Sequence, residues 1–259
     1  MSTKQFHGDA DYGEVVNVVM PSSRPSIVIV CEHASNRIPE QLCNLGLDEA
    51  ARLSHAAWDP GAFGVASVMR DQLSAVLVGS GVSRLVYDCN RPPEALSAIP
   101  TKSEIYDIPG NVDLTAVARQ ARIDRVYRPF ESALSNVIHG HRDTLRLMVT
   151  VHSFTPVYYG AQRDVEIGVL HGEDPKFAEL MMQAIPASNV FDVRLNEPYS
   201  AQDGVAHTLD LHGARNDLAN VMIEIRNDLI QTPETQSVMG NYLCDWISQA
   251  IGSDSEDRA

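Results

Sequence analysis

The 259-residue sequence contains few cysteines and no long apolar run. Its four cysteines, Cys31, Cys43, Cys89 and Cys244, form no CxxC pair and no zinc-ribbon spacing. We therefore expect free, buried thiols rather than disulfides. No stretch approaches the roughly 18 apolar residues of a membrane span, and the first residues lack the apolar core of a signal peptide. These absences predict a cytoplasmic protein that does not contact a membrane.

Positive charge is also scarce. Twenty lysines and arginines stand against 34 aspartates and glutamates, which gives a net charge of −14. A nucleic-acid-binding protein needs a basic face to neutralise phosphates, and anionic lipid attracts basic segments. We therefore expect neither partner. All but three of the cationic residues are arginines, and the planar arginine fork can bind a carboxylate at two points.

Short apolar strands alternate with helical patterns over most of the chain. The continuous β-branched run at 26–31 is typical of a strand buried on both faces of a parallel sheet. This alternation predicts a single α/β domain over residues 1–259, with a mainly parallel sheet between two helical layers and a frayed acidic tail at 253–259. The predicted strands are 26–31, 75–78, 84–87, 147–151, 165–170, 190–193 and 221–225, and the predicted helices are 61–74, 113–140, 175–185 and 234–251.

Two local features interrupt these patterns. Pro129 predicts a kink or a break in the helix at 113–140. The proline-rich segment 91–110 predicts a long loop inside the domain, which could act as an active-site flap.

Polar residues follow several predicted strands. His33 and His152 come just after two of them, and Glu224 lies in the last. In open α/β sheets, ligands bind beyond the carboxyl ends of the strands. Two histidines with an acidic third ligand form a catalytic zinc site that leaves one position for water, and Asp59 is the best third candidate. Taken alone, Asp59 before Pro60 fits a helix N-cap, and either histidine fits a hydrogen-bonded structural role.

Other chemistries find little support. The chain has no HExxH, GxSxG or P-loop motif. Arg84 stands where the third glycine of a dinucleotide-binding fingerprint would be, after Gly79 and Gly81. Cys31 and Cys89 lie in apolar settings that favour inert packing over nucleophilic catalysis.

Six segments, in this order, resemble the N-formylglutamate amidohydrolase family: CEHASNRIP at 31–39, WDPGA at 58–62, SRLVYDCNRPP at 83–93, YRPF at 127–130, VHSFTP at 151–156 and EIRNDLI at 224–230. The resemblance implies a three-layer αβα fold with a mixed, mainly parallel sheet, like that of the zinc carboxypeptidases and the zinc-dependent cell-wall amidases. Glu32 and Thr150 stand where members usually have proline and an acidic residue, so the chain resembles a divergent branch.

The same resemblance implies the zinc ligands His33, Asp59 and His152, and the catalytic glutamate Glu224. Carboxypeptidases place the acidic ligand three residues after the first histidine. That position is Asn36 here, which favours Asp59 and leaves Glu32 as the fallback ligand.

The implied function is zinc-dependent hydrolysis of the amide bond of a small, anionic N-formyl or N-acyl amino acid such as N-formylglutamate, a non-peptide carbon–nitrogen bond. In this scheme, Glu224 moves the proton of the attacking water. The substrate carboxylate is bound by Arg84, Asn90 and Arg91.

Arg226 follows Glu224 by two positions, so in a strand it faces the same crevice. Arg226 or His212 would stabilise the oxyanion next to the bound substrate. A salt bridge is the alternative for Arg226, and holding a loop shut is the alternative for His212.

Two other functions remain open at this stage. One is a zinc peptidase or amidase that acts on a peptide or a cell-wall amide. The other is a non-catalytic small-molecule binding module, which would hold no zinc. The sequence leaves the oligomeric state open.

Overall fold

The protein is described by a computed structural model over residues 11–256. The strands are β1 (Val16–Val19), β2 (Ile27–Cys31), β3 (Val76–Ser80), β4 (Lys102–Ser103), β5 (Tyr106–Asp107), β6 (Leu147–Phe154), β7 (Val157–Tyr158), β8 (Ala161–Gln162), β9 (Ile167–Leu170), β10 (Val193–Leu195) and β11 (Ala219–Arg226). The α-helices are α1 (Glu49–Leu53), α2 (Ala62–Leu73), α3 (Ala116–Arg122), α4 (Arg128–Gly140), α5 (Lys176–Gln183) and α6 (Pro233–Glu256).

Seven strands form the central sheet, in the order β1-β3-β2-β6-β11-β9-β10. The four in the middle, β3, β2, β6 and β11, run parallel to one another. Strand β1 pairs antiparallel with β3, and β9 pairs antiparallel with β11. The expectation of a mixed, mainly parallel sheet is therefore confirmed. Because the four middle strands are parallel, their carboxyl ends meet at one edge of the sheet.

Helices cover both faces of the sheet. In β2, Val28 packs in one core cluster with Phe130 of α4, and Ile29 packs in the other with Met69 of α2 and Trp246 of α6. Successive strand residues point to opposite faces, so a strand between two helical layers is apolar at every position. This explains the continuous β-branched run, and the three-layer αβα architecture is confirmed.

The predicted strand 84–87 is wrong. Its apolar residues are buried, but the backbone turns after β3: Val86 N donates to Ser83 O and Leu85 N donates to Ser83 Oγ. A buried turn has the same composition as a short buried strand, which is why periodicity alone could not separate them. Strand β1 was not predicted, because it is a half-exposed edge strand without a continuous apolar run.

Pro129 does not break its helix. A π-helical turn at Ile123–Tyr127 joins α3 to α4, and Arg128 N donates to Ile123 O, five residues back. The helix thus widens just before a residue that has no N–H to donate.

At the carboxyl end of the chain, α6 runs to Glu256, so the backbone at 253–256 is helical. The rest of the expected tail, 257–259, lies outside the described residues. Among residues 11–256, no helix is both long and apolar enough to cross a membrane.

Candidate active site

Three of the predicted site residues lie at the carboxyl edge of the parallel strands. His33 follows β2 by two residues, His152 lies in β6 and Glu224 lies in β11. Glu224 pairs in register with His152, so both side chains leave the sheet on the same side. All three are buried, with 2%, 2% and 5% of their surface exposed.

Asp59 reaches the same place from the turn before α2. Its backbone N–H donates to His33 O at 3.0 Å, and Ser153 Oγ donates to Pro60 O at 2.8 Å. The N-cap of α2 is Gly61, and the helix start receives no side-chain cap hydrogen bond. The carboxylate of Asp59 is therefore directed at the histidines instead of at the helix.

The atoms of this group lie close together. Asp59 Oδ2 is 3.2 Å from His33 Nδ1 and 2.9 Å from His152 Nδ1, and the two Nδ1 atoms are 3.2 Å apart. One ligand atom from each residue thus points at a common centre, and the group could hold a metal ion. Two imidazoles and one carboxylate match the ligand types of a three-ligand catalytic zinc site.

A buried carboxylate lies behind each histidine. His33 Nε2 is 2.8 Å from Asp88 Oδ1, and His152 Nε2 is 3.1 Å from Glu32 Oε2. A hydrogen bond such as that between His33 and Asp88 fixes the tautomer and the ring orientation of a metal-binding histidine. The approach of Glu32 to His152 is an ion pair without hydrogen-bond geometry. Glu32, the fallback metal ligand, therefore lies on the outer side of His152. The sequence analysis gave no role to Asp88, although the residue stands in the SRLVYDCNRPP segment.

Arg84 lies between two of these carboxylates. Its Nη1 donates to Asp59 Oδ1 at 3.2 Å and its Nη2 donates to Asp88 Oδ2 at 3.1 Å. The guanidinium thus links Asp59 to the carboxylate that contacts His33. Two carboxylates already offset the charge of this guanidinium, although Arg84 also lines the cavity beside them, so its role in substrate binding stays a prediction.

The mixed charges of the group shift its pKa values in opposite directions. Burial alone would raise the pKa of Asp59, but His33, His152 and Arg84 outweigh burial and hold the pKa well below its usual value. Burial alone would lower the pKa of His152, but Glu32 and Asp59 raise the pKa well above its usual value.

Glu224 differs from these residues. Burial raises the pKa of Glu224 to about 7; the charge of Asp59 adds to this effect and His152 opposes it. Its Oε2 atom is buried and has no hydrogen-bond partner among the described residues. A carboxyl group with a pKa near neutrality can both accept and release a proton, which is the requirement for a general acid–base group.

The cavity next to this group has a volume of about 540 Å³, and its lining includes His33, Asp59, His152 and Glu224. Arg91 also lines it, and Arg91 Nη1 donates to the backbone oxygen of Asn90 at 2.9 Å. Asn90 lies at the cavity too, but Nδ2 donates to Val205 O and Oδ1 accepts from Thr208 N. The amide of Asn90 therefore holds the chain at 205–208, which leaves Arg91 as the better candidate for substrate.

The structure does not bring Arg226 and His212 to this cavity, whose lining includes neither residue. Arg226 Nε donates to Asp228 Oδ1, and its Nη2 donates to Glu166 Oε1. These acceptors hold Arg226 against the neighbouring loop, although it follows Glu224 by two positions. His212 is buried in a π-helical turn, and burial lowers its pKa to about 4.

The cavity contains further residues that the sequence analysis missed. Arg163 and Tyr199 lie together, with Arg163 Nη1 donating to Tyr199 Oη at 3.1 Å. Glu104, from the segment 91–110, is 2.8 Å from His55 Nε2, and its Oε1 accepts from Tyr159 N. The segment predicted to be a loop thus borders the cavity, and it contains the short strands β4 and β5. Only the length and proline content of the loop hinted at this position, and no sequence pattern marked Arg163.

Residues 25–231 match the model of the N-formylglutamate amidohydrolase family, so the chain belongs to this family. The expectation of an amidohydrolase that acts on a non-peptide carbon–nitrogen bond is thereby confirmed. A search of curated proteins found no match.

Among solved structures, a gene product of Agrobacterium tumefaciens is 46% identical in sequence, with a TM-score of 0.91 over 94% of this chain and 97% of the other. An N-formylglutamate amidohydrolase from Ralstonia eutropha is 17% identical, with a TM-score of 0.59 over 95% of this chain and 100% of the other. At 17% identity, the similarity to the Ralstonia eutropha structure shows a shared fold alone.

Proposed function

We propose that this protein is a zinc-dependent amidohydrolase that releases the amino acid from a small N-formyl or N-acyl amino acid such as N-formylglutamate. The observation that supports the proposal best is the buried group of His33, Asp59 and His152 beside Glu224. Its ligand atoms converge, its outer nitrogens face carboxylates, and a cavity opens next to it.

The donor set fits zinc. Nitrogen and carboxylate oxygen are both common zinc ligands, and a set of three leaves one coordination position free. His33, Asp59 and His152 would hold the ion. When bound, zinc lowers the pKa of water and polarises a carbonyl group.

The protein residues around this centre supply the rest of the chemistry. Glu224 takes a proton from the attacking water and delivers it to the leaving nitrogen, which its raised pKa permits. Asp88 and Glu32 keep each histidine Nδ1 directed inwards. Arg84 offsets two of the nearby negative charges.

Metal analysis and an activity screen test this proposal. The purified protein is expected to contain about one zinc per chain and to release free amine from members of a panel of N-formyl and N-acyl amino acids. A preparation loaded with zinc that cleaves none of them would contradict the proposed function.

Glu224→Gln is the decisive variant. The amide keeps the shape of the side chain but cannot accept the proton, so we expect a loss of kcat of about 100-fold or more. Zinc content should stay at the wild-type level, because Glu224 is outside the ligand group. Unchanged turnover would refute the assignment of Glu224.

A further inference from the structure

Arg163 is held in the cavity by aromatic rings. Its guanidinium carbon lies 4.4 Å from the ring centre of Tyr158, 4.9 Å from that of Tyr199 and 5.6 Å from that of Phe154. A cation within about 6 Å of a ring centre is attracted to the ring, and Nη1 also donates to Tyr199 Oη. The rings and this hydrogen bond therefore restrict the orientation of the guanidinium plane.

One edge of this guanidinium is uncommitted. Nη1 donates to Tyr199 Oη at 3.1 Å and to Thr155 O at 3.4 Å. Within residues 11–256, neither Nε nor Nη2 donates to any group, and no carboxylate forms an ion pair with Arg163. Nε and Nη2 lie side by side on the guanidinium, and together they can bind one carboxylate at two points.

The backbone of Arg163 is also braced. Its N–H donates to Pro156 O at 2.8 Å, and its carbonyl oxygen accepts from Arg226 Nη1 at 3.4 Å. Arg226 also donates to Asp164 O at 3.1 Å. Arg226 therefore supports the segment that carries Arg163. Its ion pairs with Glu166 and Asp228 agree with the salt bridge given above as the alternative role.

The other arginines of the cavity lack this combination of contacts. Arg84 is engaged by Asp59 and Asp88. Arg91 has one nitrogen on its neighbour's backbone and no stacked ring among the described residues. Arg163 combines a restricted orientation, a free two-point edge and a place in the lining of the cavity.

We infer that Arg163 is a specificity-determining residue that binds a carboxylate of the substrate through Nε and Nη2. The inference rests on the proposed function and deepens it: the site selects N-acyl amino acids with a free carboxylate at that place over the corresponding carboxamides. A carboxamide presents an NH2 group to the guanidinium in place of one acceptor oxygen, so it loses one of the two hydrogen bonds.

Calorimetric binding to zinc-loaded Glu224→Gln protein tests this inference without turnover. The ligands are N-formylglutamate, N-formylglutamine and N-formylisoglutamine, which differ in which carboxylate is replaced by an amide. Adding Arg163→Met should weaken binding of N-formylglutamate about 30-fold. The same change should alter the affinity of one of the two carboxamides less than about threefold, because that ligand already lacks the carboxylate bound by Arg163. Arg163→Lys keeps the charge without the fork and should give an intermediate affinity.

Two further variants serve as controls. Arg142→Met removes a positive charge near the start of β6, at the far edge of the sheet, and should leave all three affinities unchanged. Arg91→Met tests the other cation of the cavity. If Arg91→Met removes the preference for the free carboxylate and Arg163→Met does not, the inference is overturned while the proposed function stands.

Equal weakening of all three ligands by Arg163→Met would assign it a packing role and overturn the inference. If none of the three ligands binds the Glu224→Gln protein, both the proposed substrate class and the inference fail.

Discussion

At the scale of single residues, the two ring nitrogens of each histidine in the site face different partners. Nδ1 of His33 and of His152 faces Asp59, whereas Nε2 lies against Asp88 or Glu32. A histidine whose Nε2–H points at a carboxylate presents Nδ1 to a metal, and the raised pKa of His152 means that its Nδ1 would release a proton when an ion binds. The arrangement therefore orients two ring nitrogens towards one centre.

Glu32→Gln tests this orientation. The amide of glutamine can also present NH2 to His152 and thus favour the wrong tautomer. We expect zinc affinity to fall about 10- to 100-fold, measured by competition with a chromophoric chelator. Glu40→Gln, an exposed change in the same part of the chain, is the matched control and should have no effect. Equal affinity for wild type and Glu32→Gln would contradict the role given to Glu32.

Glu224 makes a second prediction at this scale. Its pKa of about 7 in the folded protein lies above the ordinary 4.5, mainly because of burial. The folded state therefore binds more protons than the unfolded state between these values, so this group lowers stability as the pH rises through them. The cost above pH 7 is on the order of 3 kcal/mol at 1.36 kcal/mol per pKa unit.

Glu224→Gln removes this titration. In urea unfolding of the metal-free proteins at pH 5, 6.5 and 8, the stability of the variant relative to wild type should increase with pH. A difference that is the same at all three values would show that burial of Glu224 does not raise its pKa.

At the scale of elements, one buried arginine joins the α3–α4 helix to the loops beside the cavity. Arg122 Nη1 donates to Asn111 Oδ1 at 2.6 Å and to Val86 O at 3.2 Å, and Nη2 donates to Gly110 O at 3.2 Å. Asn111 in turn donates to Leu85 O. Arg122 is only 2% exposed, and burial lowers its pKa to about 10. These bonds hold the end of the segment 91–110 in place.

Arg122→Met should destabilise the protein by about 2–4 kcal/mol, because several buried oxygen atoms lose their donors. Chemical denaturation measures the change. Arg128→Met, in which a largely exposed arginine on the following helix is removed, should cost less than about 0.5 kcal/mol. Similar losses for both variants would show that the buried bonds add nothing beyond surface charge.

At the scale of the whole molecule, the proposed metal would tie together distant parts of the chain. His33, Asp59 and His152 come from the end of β2, the turn before α2 and the interior of β6. An ion that binds the folded state alone stabilises it by mass action. The proposed anionic substrate would have to approach a protein with a net charge of −14, and the inferred role of Arg163 would supply local positive charge in the cavity.

Zinc should therefore raise the melting temperature of chelator-treated protein. At a free zinc concentration about 1,000 times Kd, the gain is about 4 kcal/mol, which corresponds to about 8–16 °C for a chain of this size. His152→Ala is the matched control, since it removes one ligand and should abolish most of the shift. An equal shift in both proteins would place the binding elsewhere.

The sequence by itself determined which residues are apolar and where the chain alternates between strands and helices. It therefore predicted the parallel sheet, and it brought His33, His152 and Glu224 to one edge, because parallel strands end on the same side. The continuous β-branched runs were reliable signals since both faces of those strands are covered. The apolar run at 84–87 was wrongly predicted as a strand, because a buried turn also consists of apolar residues.

Only the tertiary structure decided which partners the polar side chains meet. Arg84 contacts Asp59 across 25 positions of sequence and Arg226 contacts Glu166 across 60. The direction of a long side chain depends on which acceptors the fold places near it, and no local pattern encodes those acceptors. For that reason the sequence pattern predicted Arg226 in the cavity and gave no sign of Arg163. In the structure, Arg163 lines the cavity and Arg226 does not.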